Sequence, residues 1–311
     1  MSGIWVRRSV ILLVAVVAGG FIALRLLDFL YARVMEHRYE RWEADMAYDA
    51  DGVRTDFQPM FEGEGSVGIL FVPGFASPPA LYTHFVAHFA ERDFACHAIR
   101  LPGFGEKVEQ AKQVTRQDWV EAVRAHAREL REGRDSVWIV AHSLGAAATL
   151  TALADEPELA DGLVLLAPLL QVSDTRSPLI SPKEWFEVGE QMLEYADMTE
   201  LLFPLDAHDE ELRRTEKRDF FTPFSIFEEL FLLLEELGPS PPVPDIPLLV
   251  VLSERDEIVA GKRVSEWFAD LELTEKRLLE VEPAGHLLPL DTGWEELVRE
   301  VESFIANTHH P

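Results

Sequence analysis

The chain has 311 residues, of which 48% are hydrophobic, enough to build a substantial core in one large α/β domain or two small ones. Its 55 acidic residues against 28 basic ones give a formal charge of −27, which would repel the phosphates of nucleic acid, so we exclude nucleic-acid binding. The single cysteine, Cys96, excludes an intramolecular disulfide and a cysteine-based metal site, and its apolar surroundings predict a buried strand thiol.

The chain begins with a long apolar segment. Residues 9–24 carry no charge, and if Arg25 extends toward the headgroups the apolar stretch reaches Tyr31, which is long enough to cross a bilayer as a helix. We therefore predict a single N-terminal membrane anchor over residues 1–31. The alternatives are a secretory signal, which would make the protein secreted or periplasmic, and an apolar helix docked on a partner. Basic residues flank the segment on both sides, so their count does not assign the side of the membrane.

The next segment, residues 32–54, mixes arginine, glutamate and aromatic side chains at helical spacing. Two interpretations fit this pattern equally well. The segment is either a helical stalk that links the anchor to the rest of the chain, or a helix that lies on the domain that follows.

From about Thr55, short apolar runs alternate with longer amphipathic ones, and no internal repeat is visible. This alternation predicts a mostly parallel sheet flanked by helices, which is the α/β class. Strands are predicted over residues 67–72, 94–99, 136–141, 162–166, 248–252 and 277–281. Helices are predicted over residues 79–92, 116–132, 144–155, 262–271 and 294–305.

Residues 169–244 interrupt the alternation, because they show helical patterning without a strand signal. A structureless loop of that length is improbable inside a compact domain. We therefore predict an inserted helical subdomain, called the cap below, between two core segments at residues 55–168 and 245–308. The cap is rich in phenylalanine, at Phe186, Phe203, Phe220, Phe221, Phe224, Phe227 and Phe231.

The strongest local signal for chemistry lies in residues 137–146, where an apolar strand leads directly into a helix of small residues. In a G-x-S-x-G elbow, the small residues on either side of the serine let the backbone turn sharply and expose the hydroxyl. Ala141 and Gly145 occupy those positions around Ser143. We predict Ser143 as a nucleophile; the alternative is that it only caps the helix.

A serine hydroxyl attacks efficiently only when a base removes its proton, and an acid in turn orients that base. The strand at 248–252 is followed by Asp256, and a later apolar run is followed by His286. We predict His286 as the base and Asp256 as the acid, which we prefer to Glu254 and Glu257 for its offset from the strand end. Other histidines rank lower because their positions are ordinary surface, helix-face, elbow or tail positions: His84, His88, His97, His126, His142, His208, His309 and His310.

Acyl transfer also requires two donors for the developing oxyanion, and these are usually backbone amides. The segment Pro73-Gly74-Phe75 follows a predicted strand and precedes a helix, and we assign the oxyanion hole to the amides of Phe75 and Leu144. The Pro-Gly pair is equally compatible with a simple strand-ending turn.

Taken in chain order, these residues resemble the α/β-hydrolase superfamily, in its serine aminopeptidase-like branch of lysophospholipases, monoacylglycerol lipases and carboxylesterases. The resemblance covers about residues 65–305. Its motifs are Val72-Pro73-Gly74-Phe75, Leu101-Pro102-Gly103-Phe104-Gly105, Ala141-His142-Ser143-Leu144-Gly145, Asp256 and Gly285-His286. Relatives often carry His or Phe at the position of Phe75, His at the position of Phe104 and Gly at the position of Ala141. None of these differences removes a catalytic atom. The resemblance implies the α/β-hydrolase fold, a cap after the strand at 162–166, and no requirement for a cofactor or metal.

The order serine, acid, histidine predicts a serine ester hydrolase of the carboxylesterase or lipase type, with an acyl-enzyme on Ser143. A phenylalanine-rich cap beside a membrane anchor favours lipid-derived esters such as monoacylglycerols, with small esters as the alternative. Fold and triad do not select the substrate. Peptidase, thioesterase, C–C hydrolase and haloperoxidase chemistry are therefore alternatives, and a non-catalytic membrane-tethered binding module is a further one. The sequence makes no prediction of oligomeric state.

Overall fold

The computed structural model describes residues 2–177, 179–202, 204–215 and 217–308, with side chains described from residue 11 onward. Phe203, His309 and His310 lie outside the described residues. The strands are β1 (Met60–Glu62), β2 (Val67–Val72), β3 (Phe94–Ala98), β4 (Ser136–His142), β5 (Gly162–Leu166), β6 (Met198–Glu200), β7 (Phe221–Pro223), β8 (Leu248–Ser253) and β9 (Lys276–Val281). The helices are α1 (Ser2–Glu43), α2 (Thr83–Ala90), α3 (Val108–Ala111), α4 (Arg116–Arg131), α5 (Leu144–Asp155), α6 (Pro182–Met192), α7 (Glu210–Thr215), α8 (Phe224–Leu237), α9 (Gly261–Asp270) and α10 (Trp294–Thr308).

Seven strands form the central sheet, in the order β1-β3-β2-β4-β5-β8-β9. Every neighbouring pair is parallel except β1 with β3. All residues of β4, β5 and β8 are buried, which explains their continuous apolar sequence, because helices cover both faces of a parallel sheet. Side chains of α4, α5, α8 and α9 form the core on one face, and those of α2 and α10 form it on the other. The predicted mostly parallel sheet is confirmed, and the edge strand β1 is an addition to it.

The cap contains two strands that the sequence analysis did not predict, so the expectation of a strand-free interval was wrong. β6 and β7 pair antiparallel as a separate sheet, with Met198 opposite Pro223 and Glu200 opposite Phe221. Each strand has only three residues, too few to show an alternating pattern. Met198 and Phe221 are buried together with Met35 of α1, so a contact distant in sequence stabilises this sheet.

The helices of the cap differ in their packing. α8 contributes Ile226, Leu230 and Leu233 to the main core beside α4 and α5. α6 has no buried residue among those described. α8 is thus the base of the cap, and α6 lies at its outer surface, joined to α8 through ring contacts of Phe186 with Phe227 and Phe231.

α1 is one continuous helix of 42 residues. Its segment Ile11–Glu43 is long and apolar enough to cross a membrane, with a mean hydropathy of 2.2 in its most apolar window. The side chains of residues 11–23 are exposed, whereas from residue 24 onward one face of the helix contacts the rest of the protein and buries Met35. For residues up to Glu43, the structure shows a helix that lies on the domain, the second of the two interpretations of residues 32–54.

Candidate active site

Ser143 lies in a sharp turn between β4 and α5. Its backbone has φ of 51° and ψ of −117°, a conformation that non-glycine residues rarely adopt. The buried strand before it and the buried helix after it hold the turn in place. A Cβ atom at Gly145 would overlap the carbonyl oxygens of Val72 and Pro73. The glycine two residues after Ser143 is therefore required because β2 and its following loop pass directly beside the turn.

The structure brings Ser143, His286 and Asp256 into one hydrogen-bonded chain. The Nε2 atom of His286 is 3.0 Å from the Oγ atom of Ser143, and its Nδ1 atom is 2.8 Å from Oδ2 of Asp256. An ionised carboxylate only accepts hydrogen bonds, so Nδ1 carries the ring proton and Nε2 accepts from the serine hydroxyl. This is the arrangement in which a histidine can remove the serine proton.

Asp256 is held by both of its oxygens. While Oδ2 faces His286, Oδ1 accepts hydrogen bonds from the amides of Ile258 at 2.8 Å and Val259 at 2.9 Å. Burial by itself would raise the pKa of the Asp256 carboxyl, but the neighbouring His286 ring and these hydrogen bonds outweigh it and hold the pKa below its usual value. The carboxylate therefore stays ionised at neutral pH and keeps a fixed orientation.

The rival acids and histidines lie elsewhere. Glu254 is exposed and interacts with Glu282, and Glu257 accepts a 2.7 Å hydrogen bond from Arg176. Apart from His142 and His286, the histidines that the sequence offered have partners remote from Ser143 or lie outside the described residues. His84 stacks on Trp294, His88 bonds Glu302, His97 contacts Phe61, His126 pairs with Glu129, and the His208 amide bonds Asp291.

His142 has a position that sequence reasoning did not foresee. Its Nε2 atom lies 2.9 Å from the carbonyl oxygen of His286, and because a carbonyl only accepts, Nε2 carries the hydrogen. Complete burial, followed by the neighbouring His286 ring, lowers the pKa of His142 to about 3, so the ring is neutral at pH 7. His142 thereby fixes the backbone of the residue whose side chain contacts Ser143.

We expect His142 to make the stability of the protein pH-dependent. Because its folded pKa lies below its unfolded value of 6.5, its contribution is complete above pH 6.5 and is lost as the pH falls toward 3. The loss amounts to up to about 3 kcal/mol by pH 4, at about 1.4 kcal/mol per unit. His142→Gln, whose amide can still donate to the carbonyl, should flatten the fall of melting temperature between pH 6.5 and pH 4. His126→Gln is the matched control, and equal slopes in wild type and His142→Gln would contradict the expectation.

The segments that carry the two predicted oxyanion donors both lie next to Ser143. Leu144 is the first residue of α5 and directly follows the serine. A Cβ atom at Gly74 would lie 3.0 Å from the Cβ atom of Ser143 and 2.7 Å from Nδ1 of His142, so the loop that carries Phe75 passes against the turn. The structure thus brings the segments of both donors to the serine, and only glycine at position 74 permits so close an approach.

Asp291 is a second residue that sequence reasoning missed. It is fully buried, and its carboxylate accepts hydrogen bonds from the amides of Gly285, His208 and Asp209 at 2.6, 2.7 and 2.8 Å. The amide of His286 in turn donates to the carbonyl of Asp206 at 2.9 Å. These bonds join the loop that carries His286 to the cap. No sequence motif marks Asp291, because its partners are backbone amides and two of them lie more than 80 residues earlier in the chain.

A cavity of about 550 Å³ lies between the core and the cap. Its wall includes Phe75, which packs its ring against Phe104 and Phe227, each with a centroid separation of 5.2 Å. Most of the remaining wall is apolar, from Val172, Pro182, Trp185, Leu201, Pro204, Phe227 and Ile258. Ser173, Ser177 and the charged side chains of Arg176, Asp206, Arg218 and Glu257 complete the wall. An elongated apolar group bound here would begin beside the predicted oxyanion loop.

Comparisons with known proteins agree with this architecture. A family model described as the alpha/beta hydrolase family matches residues 69–300. A thermostable monoacylglycerol lipase from Bacillus sp. (strain H-257) is 21% identical over 258 residues, which cover 82% of this chain and 96% of the lipase.

Solved structures show the same fold at low identity. One from work on LipS and LipT, two metagenome-derived lipolytic enzymes, has a TM-score of 0.68 and 22% identity, and covers 81% of this chain and 98% of its own. A soluble variant of the Saccharomyces cerevisiae monoglyceride lipase, bound to a substrate analogue, has a TM-score of 0.70 and 13% identity. The match covers 86% of this chain and 96% of the lipase.

Proposed function

The chain belongs to the alpha/beta hydrolase family, and from this premise we propose that it is a serine hydrolase that cleaves carboxylic esters through an acyl-enzyme on Ser143. The observation that carries the proposal is the continuous hydrogen-bonded chain from Asp256 through His286 to Ser143. In this series of hydrogen bonds, the unprotonated nitrogen of His286 faces the Ser143 hydroxyl. The loop that passes against the elbow carries Phe75, and Phe75 lines the apolar cavity.

In the proposed reaction, Oγ of Ser143 attacks the ester carbonyl carbon while its proton moves to Nε2 of His286. Asp256 stabilises the resulting imidazolium, and the amides of Phe75 and Leu144 donate to the oxyanion of the tetrahedral intermediate. The intermediate collapses when the bond to the alcohol oxygen breaks and His286 protonates the leaving alcohol. A water molecule, deprotonated by His286, then attacks the acyl-enzyme and releases the carboxylic acid and the free serine.

Lipid-derived esters such as monoacylglycerols are the substrate class that we propose. Two observations support it: the apolar wall of the cavity, and the similarity to proteins named as monoacylglycerol lipases. We further propose that α1 is a single-pass anchor that keeps the enzyme on a membrane. Support comes from the apolar length of α1 and from its unbroken continuation into the part that packs on the cap.

Graded p-nitrophenyl esters test the ester and cavity assignments together. We expect kcat/KM to rise from acetate to octanoate by up to about fourfold per methylene, because each buried methylene contributes about 0.8 kcal/mol. Phe227→Ser, which places a polar group in the cavity wall, should lower the octanoate-to-acetate ratio. Phe61→Ser, on the exposed edge strand, is the matched control. Faster cleavage of amino-acid anilides or acyl-CoA than of any ester would overturn the ester assignment.

A further inference from the structure

Asp28 is an acidic residue within the apolar part of α1, and the structure shows what it binds. Its buried carboxylate accepts hydrogen bonds from three consecutive amides of the cap, those of Glu194 at 2.7 Å, Tyr195 at 3.0 Å and Ala196 at 3.1 Å. One turn earlier, Arg25 donates to the carbonyl of Met192 at 3.1 Å. A buried carboxylate is costly unless it is fully hydrogen-bonded. These contacts, called the Asp28 clamp below, therefore attach α1 to the segment that directly follows α6.

The length of the apolar part of α1 predicts where the Asp28 clamp would lie relative to a bilayer. The side chains of residues 11–23 contact no other part of the described protein closely enough to be buried. Residues 9–27 extend about 28 Å at 1.5 Å per residue, close to the ~30 Å thickness of a bilayer hydrocarbon core. If this stretch crosses a bilayer, Asp28 lies at its surface. The cap residues that Asp28 binds lie at the same level.

The cap carries a set of exposed apolar side chains, called the lipid face below, of which Met192 and Tyr195 adjoin the Asp28 clamp. It consists of Leu179, Trp185, Val188, Met192, Tyr195 and Leu202, with exposed fractions from 40% to 95%. Outside α1, Phe61 is the one other large hydrophobic residue that is comparably exposed among the residues described.

The lipid face contacts α1 through Tyr195 and reaches the cavity through Trp185. Trp185, Val188 and Met192 follow i, i+3, i+7 spacing and so share one side of α6. Tyr195 sets its ring edge-on against Phe29 of α1 at 5.8 Å. Trp185 also lines the cavity beside the proposed oxyanion loop. A clustered apolar surface of this kind is unusual on a protein that faces only water.

We propose that the cap docks on the lipid bilayer through the lipid face, that the Asp28 clamp fixes it there, and that the cavity therefore opens toward the membrane. A bilayer crossed by residues 9–27 would meet α1 and the lipid face together. Glutamates at positions 184, 187, 190 and 194 are exposed on and just after α6, so a zwitterionic surface fits better than an anionic one. The docking rests on the anchor role proposed for α1, and only the delivery of substrate rests on the proposed ester hydrolysis.

The test uses the full chain in phosphatidylcholine vesicles that contain doxyl-labelled lipid. Val188→Cys is labelled with an environment-sensitive fluorophore. The matched control is Glu158→Cys, which is exposed just before β5, at the amino ends of the parallel strands. The native Cys96 needs no substitution, because burial raises the pKa of its thiol to about 12 and keeps it unreactive. We expect a blue shift and severalfold stronger lipid quenching at position 188 than at position 158.

Three results would overturn the docking: equal quenching at the two positions, failure of the chain to float with vesicles, or a blue shift that depends on protein concentration and not on lipid. The last would mean that a second copy covers the lipid face. Asp28→Ala should reduce the quenching at position 188 while the chain still floats. Glu40→Ala, on the solvent side of α1, is its control.

Substrate delivery is tested separately with Val188→Glu combined with Met192→Glu. We expect a severalfold fall in the ratio of turnover of vesicle-borne monoacylglycerol to turnover of soluble p-nitrophenyl acetate. An unchanged ratio would overturn delivery from the bilayer. If wild-type protein cleaves neither substrate, the proposed function fails, whereas the quenching experiment still decides the docking.

Discussion

Ser143→Ala should lower kcat for a p-nitrophenyl ester by about 10⁶-fold, the size of effect found when a triad nucleophile is removed. The reason is that this hydroxyl is the group that His286 is placed to deprotonate. The hydroxyl lies at 3.0 Å from His286, and the backbone turn that presents it is fixed by buried elements on both sides. A serine-directed fluorophosphonate should modify the wild-type protein at Ser143, which peptide mass spectrometry can locate, and should not modify Ser143→Ala.

Ser265→Ala is the matched control for this substitution. Ser265 lies on α9, where its hydroxyl donates to the carbonyl of Gly261 and not to His286. We expect its kcat and its labelling to equal those of wild type. If Ser143→Ala kept near-wild-type turnover with a native melting temperature, the acyl-enzyme on Ser143 would be wrong. Absence of labelling in well-folded wild type would favour a non-catalytic binding module.

Asp256→Asn should lower kcat by about 10⁴-fold with little effect on KM, the scale seen when a triad acid is replaced by its amide. The structure supplies a specific reason. Two amides, those of Ile258 and Val259, already donate to one oxygen of Asp256, so the oxygen of asparagine would occupy that position. Its NH₂ group would then face Nδ1 of His286. The ring proton would have to move to Nε2, the atom that should accept the proton of Ser143.

Glu254→Gln is the control for this prediction, because Glu254 directly follows the same strand, β8, and was a rival acid in the sequence. It is exposed and interacts with Glu282 instead of a histidine. We expect wild-type kcat/KM and pH profile for Glu254→Gln. The opposite pattern, with Glu254→Gln inactive and Asp256→Asn active, would show that the acid is assigned to the wrong carboxylate.

Several features could be predicted from the sequence because they depend on local patterns. A strand covered on both faces consists of consecutive apolar residues, so β2, β4, β5 and β8 were located to within a residue or two. The elbow could be recognised because steric crowding demands small residues at fixed distances from Ser143. His286 and Asp256 were found because each follows a strand of a parallel sheet, where carboxyl ends meet at one edge.

Other features could not be predicted because they depend on contacts between segments that are distant in sequence. β6 and β7 pack against α1, which lies more than 150 residues earlier in the chain. Each of the two strands is too short to show an alternating pattern. His142 and Asp291 act on backbone atoms, and a backbone partner leaves no trace in residue identity. For the same reason the sequence could not say whether the segment after the predicted anchor stands free or lies on the domain.

The sequence by itself therefore determined the sheet, the elbow and the three residues that form the hydrogen-bonded chain, since apolar periodicity and steric limits are local. Only the tertiary structure decided how α1 meets the cap, why Asp28 interrupts an apolar helix, and which surface of the cap is left exposed. The physical reason is that every residue except proline carries a backbone amide, so residue identity does not reveal which amides a carboxylate will bind. The position of such a bond is fixed only when the chain has folded.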